Sequence, residues 1–518
     1  MKRLLLVIGL LATGITIGYS QNIKTDTTNF SLIKSEALNH SQTLDNLSVF
    51  CAVNGSRLMW SPQYRKSADW IKNKLAEWGI TNTYYEDINR QGKSWELKKF
   101  YAVMTEPYAI PIAGNPKEWT PGTNGTIKSE VVQFKVKGPE DFEKYKGKLQ
   151  GKIVLLTDMF MFRPFYGSFV NRFTDDSLKV LEGYKIPDAE QKKLAKEEEE
   201  KTNASYKEYF TFLSKKVEFC QKEGAVLLID PGYRYYGLNQ VWANSPSLAP
   251  KDAVDYLSAY AGDPNIPESL PQITISMEQY NNIVRILDSG KPVTMEANIE
   301  VGNYGVEKGF NVIAEIPGTE LKNEVVMVGA HLDSYSFAVG ATDNAASVVN
   351  CMEVLRLIKS LGLQPKRTIR IGIWGAEEEG LIGSKAHIEK HFIKGNEKLY
   401  SYFNMDFGAG RYRGIYAEEN TGAAEVFKEW MKIIGDGKFQ TVCMMKVKNS
   451  DQEAFSDAGL SGFAFIQDPL DYNRIYHTNM DFVERIYKDD ITNNSFLMTA
   501  MAWLSANAEG NFPVRAVN

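Results

Sequence analysis

The sequence predicts an α/β protein, a three-layer α/β/α sandwich whose open sheet is mostly parallel, with a β-rich lobe inserted into it. Three observations carry this. Strand-like and helix-like runs alternate from about residue 305 onward, an amphipathic helical stripe stands far upstream at 64–78, and short β-rich runs fill about 120–295 between them. Alternation of this kind belongs to sheets covered by helices.

The chain opens with Lys2 and Arg3 ahead of an apolar run from Leu4 to about Ile17, closed by Gly18, Tyr19 and Ser20. A basic head, a short apolar stretch and small residues before a polar start have the form of a secretory signal peptide, expected over 1–20. An exported protein, periplasmic or secreted, follows, with no membrane-spanning segment once the leader is removed. The leader holds two of the 59 basic residues and none of the 64 acidic ones, so the mature net charge is −7. A mildly acidic chain without a basic stripe is poorly suited to nucleic acid. With 43% hydrophobic and 24% charged residues, disorder is excluded as the main state. Cys51, Cys220, Cys351 and Cys443 lie too far apart for a zinc finger or a dense disulfide framework, although export permits a bridge.

Tyr64, Ala68, Ile71, Leu75 and Trp78 recur every three or four positions, and Gly79 stops that helix. "TNTYYE" follows as a strand. The sequence thus divides into an N-terminal part of the main domain (21–120), an insertion (121–295) and the remainder of the main domain (296–518). Within the insertion, "DAEQKKLAKEEEEKTNASYKEYF" is expected to be a solvated helix without function. Beyond it, "NEVVMVGAHLD" is a continuous apolar run of the kind a strand buried on both faces requires. A helix with Val348, Met352, Leu355 and Ile358 on one side comes next, then the strand "RTIRIGIWGAEEEG", then "SYFNMDFG" and "SGFAFIQD".

Sites in open α/β sheets form outside the carboxyl ends of the strands. His331 and Asp333 end one strand, Glu377 and Glu378 a second and Asp406 a third, while His477 lies just past a fourth and Asp343 opens the helix after the first. Only five histidines occur, and two of them fall at such ends beside carboxylates. Imidazole and carboxylate suit zinc, and two His with three carboxylates can hold two ions if one carboxylate bridges. One member of the Glu377–Glu378 pair is then free to take a proton from water. His387 and His391, four apart on a polar helix outside any HExxH frame, are expected at the surface.

"GAHLDS", "GATDNAAS", "WGAEEEGLIGS", "NMDFG" and "YHTNMD" occur here in order. In these stretches the chain resembles the co-catalytic zinc exopeptidases of metallopeptidase family twenty-eight, the family of leucyl aminopeptidases, glutamate carboxypeptidase and carboxypeptidase Q. The resemblance implies that His331 and Asp406 hold one zinc, Glu378 and His477 the other, with Asp343 bridging and Glu377 as general base. It further implies that Asp333 orients His331, that Tyr476 stabilises the oxyanion, and that Glu379 is a solvent-facing bystander. The 121–295 insertion resembles a protease-associated domain. Many members have Ser-Asp-His where this chain has Ser450, Asp451 and Gln452. The expected activity is removal of residues from the N-terminus of peptides. A carboxypeptidase or dipeptidase is the alternative, and would want a cation such as Arg411, Arg413 or Arg474 facing the substrate carboxylate. A glutaminyl cyclase or an inactive binding scaffold fits less well, because no ligand is missing.

Overall fold

The computed structural model describes residues 29–515 apart from 162, 164, 241, 242 and 244–260, so the expected signal peptide lies outside the described residues. Four parallel strands form the centre of the sheet, in the order Gly462–Gln467, Lys398–Asn404, Leu321–His331, Arg367–Trp374. Side chains alternate across such a sheet. Val326, Val328 and Ala330 therefore pack with Val348, Met352 and Leu355 of the helix Ala346–Ser360 on one face. Val325 and Met327 pack with Trp374, Tyr402 and Phe455 on the other. The helix Lys488–Asn507 lies on the first face, and Ile382–Ile388 and Asp451–Asp457 lie on the second.

The predicted N-terminal helix is Pro62–Glu77, with Pro62 in its first turn and the Ser61 hydroxyl accepting from Tyr64 N–H at 3.1 Å. Tyr64, Ala68, Ile71 and Leu75 are its buried stripe, as the 3.6-residue period requires.

The strand expected at "TNTYYE" is much longer, running from Thr83 to Glu106 antiparallel to Thr294–Ile316 along nearly its whole length. That ribbon joins the central sheet to a second region, in which Ile127–Gln133, Ile153–Leu155, Leu227–Pro231 and Gln272–Ile275 are parallel to one another. Its apolar side chains form clusters of their own, centred on Ile229, Ile273 and Tyr280 on one side and Phe134, Val154 and Cys220 on the other. The charged stretch is a 34-residue helix, Ala189–Lys222, started by a capping box of Asp188 and Gln191. All four cysteines are buried and free, and no helix among the described residues is long and apolar enough to cross a membrane.

The reading of His387 and His391 as surface residues is corrected. His387 is fully buried and His391 partly so, and both donate to one carboxylate, Glu86, at 2.7 Å. Lys390 reaches the same group at 3.0 Å, and His391 Nδ1 lies 3.0 Å from Glu397. Burial pushes the Glu86 carboxyl up, but hydrogen bonds from the two histidines prevail and hold it well below the usual range. Burial, helped by the nearby His391 and Arg370, outweighs the pull of Glu86 and lowers His387 to about 4. Glu86→Gln removes the negative centre of this cluster, and loss of one partner from a buried charge cluster costs about 3 kcal/mol. The urea midpoint of that variant is expected to fall with metal content unchanged; an unaltered midpoint would show the cluster to be energetically idle.

Candidate metal centre

Parallel strands aim their carboxyl ends in one direction, and here four of them deliver the predicted residues to one place. His331 ends its strand, and Leu332 N–H donates to the Trp374 carbonyl at 2.7 Å, so Glu377 and Glu378 emerge beside it. Asp406 follows the strand ending at Asn404. His477 has a left-handed backbone (φ 54°), a conformation that costs an L-residue about 1 kcal/mol and that here places its ring on the centre.

The geometry is that of two sites with a shared member. Asp343 Oδ1 lies 3.1 Å from His331 Nε2, and Oδ2 lies 3.1 Å from His477 Nε2. Asp406 Oδ1 is 3.7 Å from His331 Nε2. Glu378 Oε1 is 3.1 Å from His477 Nε2 without hydrogen-bond geometry. Donor atoms sharing a tetrahedral zinc at about 2.0–2.1 Å stand roughly 3.3 Å apart, whereas the Glu86 contacts are ordinary hydrogen bonds. His331, Asp343 and Asp406 thus converge as one triad and Asp343, Glu378 and His477 as another. The donors fit zinc.

The electrostatics agree. Burial pushes Glu377 well above its ordinary value, with Asp406 and Glu378 adding to the rise. Burial likewise raises Glu378, next to Asp343. Burial opposes charging of His331 and His477, but the facing carboxylates override it and raise both well above the usual imidazole range. Asp343 is held low by the two histidines against the effect of burial. So dense a cluster of acids binds positive charge avidly.

Two expectations for neighbouring residues need correction. Asp333 orients His331 through its backbone: His331 Nδ1–H donates to the Asp333 carbonyl at 2.9 Å, which leaves Nε2 as the free lone pair. The Asp333 carboxylate is 3.8 Å from the imidazole and accepts instead from Glu378 N–H at 3.1 Å. Glu379 is half-buried rather than solvent-facing. Its Oε2 is shielded and without a partner, and burial raises its carboxyl well above the usual range, helped by Asp333. Tyr476 is half-buried beside the centre, its ring 4.8 Å from that of His477 and 5.2 Å from Tyr472. Gln452, at the position of the histidine of Ser-Asp-His, accepts from Asn404 Nδ2 at 3.0 Å. The same amide donates to Ser450 Oγ at 2.7 Å, and that hydroxyl donates to Asp406 Oδ2 at 2.5 Å. The glutamine therefore extends a chain of hydrogen bonds that orients a ligand.

Several residues of the centre carry no role in the sequence reading. Asp481 fastens the Asp343 turn by accepting from Thr342 N–H and Oγ–H at 2.8 Å and Asp343 N–H at 3.0 Å. Buried Arg57 braces the loop after His331 by donating to the carbonyls of Leu332 (2.7 Å), Val339 (2.6 Å) and Gly340 (3.0 Å). Buried Glu118 accepts from Ser336 N–H at 2.6 Å. Burial, with Glu378 nearby, pushes it up to about 8. Only Asp481 had a signal in sequence, its place at the end of "YHTNMD".

Residues 311–502, which contain all five candidate ligands and Glu377, match the family described as Peptidase family M28. The chain carries a peptidase family M28 domain. Carboxypeptidase Q of Rattus norvegicus is 28% identical to it over 249 residues, 47% of this chain and 51% of that protein. The chain thus spans about half the length of the curated relatives it matches. Among solved structures, a peptidase M28 precursor from Shewanella amazonensis has a TM-score of 0.65 at 21% identity, covering 94% of this chain and 98% of that one. BSAP, a zinc aminopeptidase from Bacillus subtilis, has a TM-score of 0.53 at 16% identity, over 91% and 98%. These likenesses extend the M28 fold beyond the matched domain to most of the chain.

Proposed function

We propose that this protein is an exported dizinc exopeptidase that removes residues from the N-terminus of peptides. The observation that carries the reading is Asp343, whose two oxygens each lie 3.1 Å from a different imidazole. His331 and Asp406 would hold one zinc, His477 and Glu378 the other, with Asp343 between them. When bound, the ions polarise the scissile carbonyl and lower the pKa of water between them. Glu377, half-buried beside His331 and Glu378, takes the proton from the attacking water and returns it to the departing amine. Tyr476, whose ring is 4.8 Å from that of His477, would donate its phenol to the oxyanion. The buried carboxyl of Glu118, beside Glu378 and His477, supports recognition of a free amino end.

The 121–295 region is read as an inserted protease-associated-like lobe that walls the cleft. Asn239 N–H donates to Asn479 Oδ1 at 2.9 Å, and Gln240 bridges to Thr478, so the insertion is stitched to the backbone beside His477. Export rests on the leader at 1–20.

Purified mature protein is expected to hold close to two zinc ions per chain, lose activity to a chelator, and cleave free dipeptides at least tenfold faster than N-acetylated ones. One ion per chain would remove the bridging role of Asp343, and equal cleavage of blocked substrates would exclude an aminopeptidase.

A further inference from the structure

Of the three arginines that the sequence offers as partners for a substrate carboxylate, two are committed elsewhere: Arg411 pairs with Asp436 at 2.9 Å and Arg413 with Asp468 at 3.0 Å. Arg474 is not. It shares a cleft of about 510 Å³ with Arg234 of the insertion, and the cleft is walled by aromatic residues including Phe169, Tyr233 and Tyr236. No carboxylate lies within salt-bridge distance of either guanidinium among the described residues, and the Nε of each is shielded from solvent without a hydrogen-bond partner. Asp471, the acid lining the cleft, is engaged by Arg485 at 3.1 Å. Each guanidinium rests on an aromatic face, Arg234 5.0 Å from the ring centre of Tyr476 and Arg474 4.3 Å from that of Phe169. Stacking fixes the planes of the two forks and leaves their edges to bind. Two adjacent cations of fixed orientation, with no internal counter-ion, form a site for an anion, and the guanidinium fork matches a carboxylate.

The position of this pair relates it to the metal centre. Arg234 covers the ring of Tyr476, and that ring is 4.8 Å from the ring of His477. Arg234 thus stands one side chain beyond the candidate ligands, with Arg474 in the same cleft, a separation that one to three residues of extended peptide can cover at about 3.5 Å each. We propose that Arg234 and Arg474 bind the free C-terminal carboxylate of di- and tripeptides, so that this enzyme measures its substrates from both ends. The inference rests on the exopeptidase reading above and adds to it the substrate class. It also gives the insertion a chemical role, since Arg234 belongs to that lobe and Arg474 to the M28 domain: the complete carboxylate site exists only where the two meet.

The test compares alanyl-leucine with alanyl-leucinamide, which differ only in the terminal charge, on zinc-loaded wild type, Arg234→Gln, Arg474→Gln and Arg474→Lys. A lost charge-assisted hydrogen bond to a carboxylate corresponds to about tenfold or more. Wild type is expected to favour the acid at least tenfold in kcat/KM, mainly through KM. Each glutamine variant should raise KM for the acid at least tenfold and for the amide far less, with zinc content unchanged, and Arg474→Lys should recover part of the loss. Equal cleavage of acid and amide by wild type overturns the carboxylate site while leaving the exopeptidase in place. Variants that lose acid and amide cleavage together assign the arginines a merely structural role. If wild type with both ions bound cuts neither substrate, the exopeptidase reading fails and this inference with it.

Discussion

Glu377→Gln is expected to bind two zinc ions and substrate normally while turnover falls ~10²–10⁴-fold, the usual cost of losing a general base. The amide keeps the size and hydrogen bonding of the side chain but cannot accept the water's proton. The loss should therefore appear in kcat rather than in binding. Glu378→Gln separates the neighbours: its Oε1 stands 3.1 Å from His477 Nε2, so the amide weakens a ligand and zinc content falls together with activity. The backbone enforces the distinction, because Glu378 N–H is held by the Asp333 carboxylate at 3.1 Å and fixes which way each side chain leaves the strand end. Glu379→Ala is a third arm. With its carboxyl buried beside Asp333 rather than in solvent, the change should disturb Glu378 indirectly and moderate activity by less than either neighbour. Zinc stoichiometry and turnover for the three variants at one pH decide the matter. Metal loss from Glu377→Gln with both ions retained in Glu378→Gln would exchange the two roles.

The parts of the fold legible in the sequence are those whose stability is local or whose burial is complete. The 321–331 strand is legible because both of its faces are covered, so no polar residue interrupts Val325 to Val328. The helix ending at Glu77 is legible because one stripe is apolar and Ser61, Pro62 and Gly79 punctuate it. The long ribbon beyond Glu86 is not. Its register comes from partners some 200 residues away, Phe100 opposite Ile299 for example, with bulges that break the period-two pattern. Non-local pairing of that kind leaves no local periodicity to read.

The candidate ligands were legible for a different reason. Metal chemistry restricts residue type, and strand ends restrict position, so few combinations remain. What the sequence could not supply was which atom of a residue acts. Asp333 is in the right place, yet its carbonyl and not its carboxylate meets the imidazole. His387 looks like a polar helix residue because the acid that draws it inward, Glu86, lies 301 positions away. Arg57 and Glu118 work through backbone carbonyls and a single backbone N–H, and such contacts demand no motif.

Removing the metal is expected to destabilise the protein in a way that depends on pH. Glu118 and Asp451 are both fully buried, and burial raises them to about 8 and about 7 respectively, from 4.5 and 3.8. Neighbouring carboxylates add to both shifts, Glu378 in the first case and Asp406 in the second. Each group binds its proton more tightly in the folded state than in the unfolded one. Its contribution to stability is therefore complete below the unfolded values and is lost as pH climbs through 7 and 8, at up to about 1.4 kcal/mol per pH unit for each titrating proton. His331 and His477, also raised, act in the same direction, while Asp343, held low, is already fully ionised in this range and contributes a constant. Zinc in the same acid cluster supplies the positive charge that protons otherwise supply, which lowers the proton affinity of every carboxyl around it. Its binding adds about 4 kcal/mol at a free concentration a thousand times its dissociation constant. Thermal midpoints recorded from pH 5 to pH 8 should thus fall steeply for chelated protein and stay nearly level for the zinc-loaded form, the gap being widest at pH 8. A chelated protein that grows more stable as pH rises, or whose midpoint at pH 8 equals that of the zinc form, would mean that the buried acids are neutralised by something other than metal and protons.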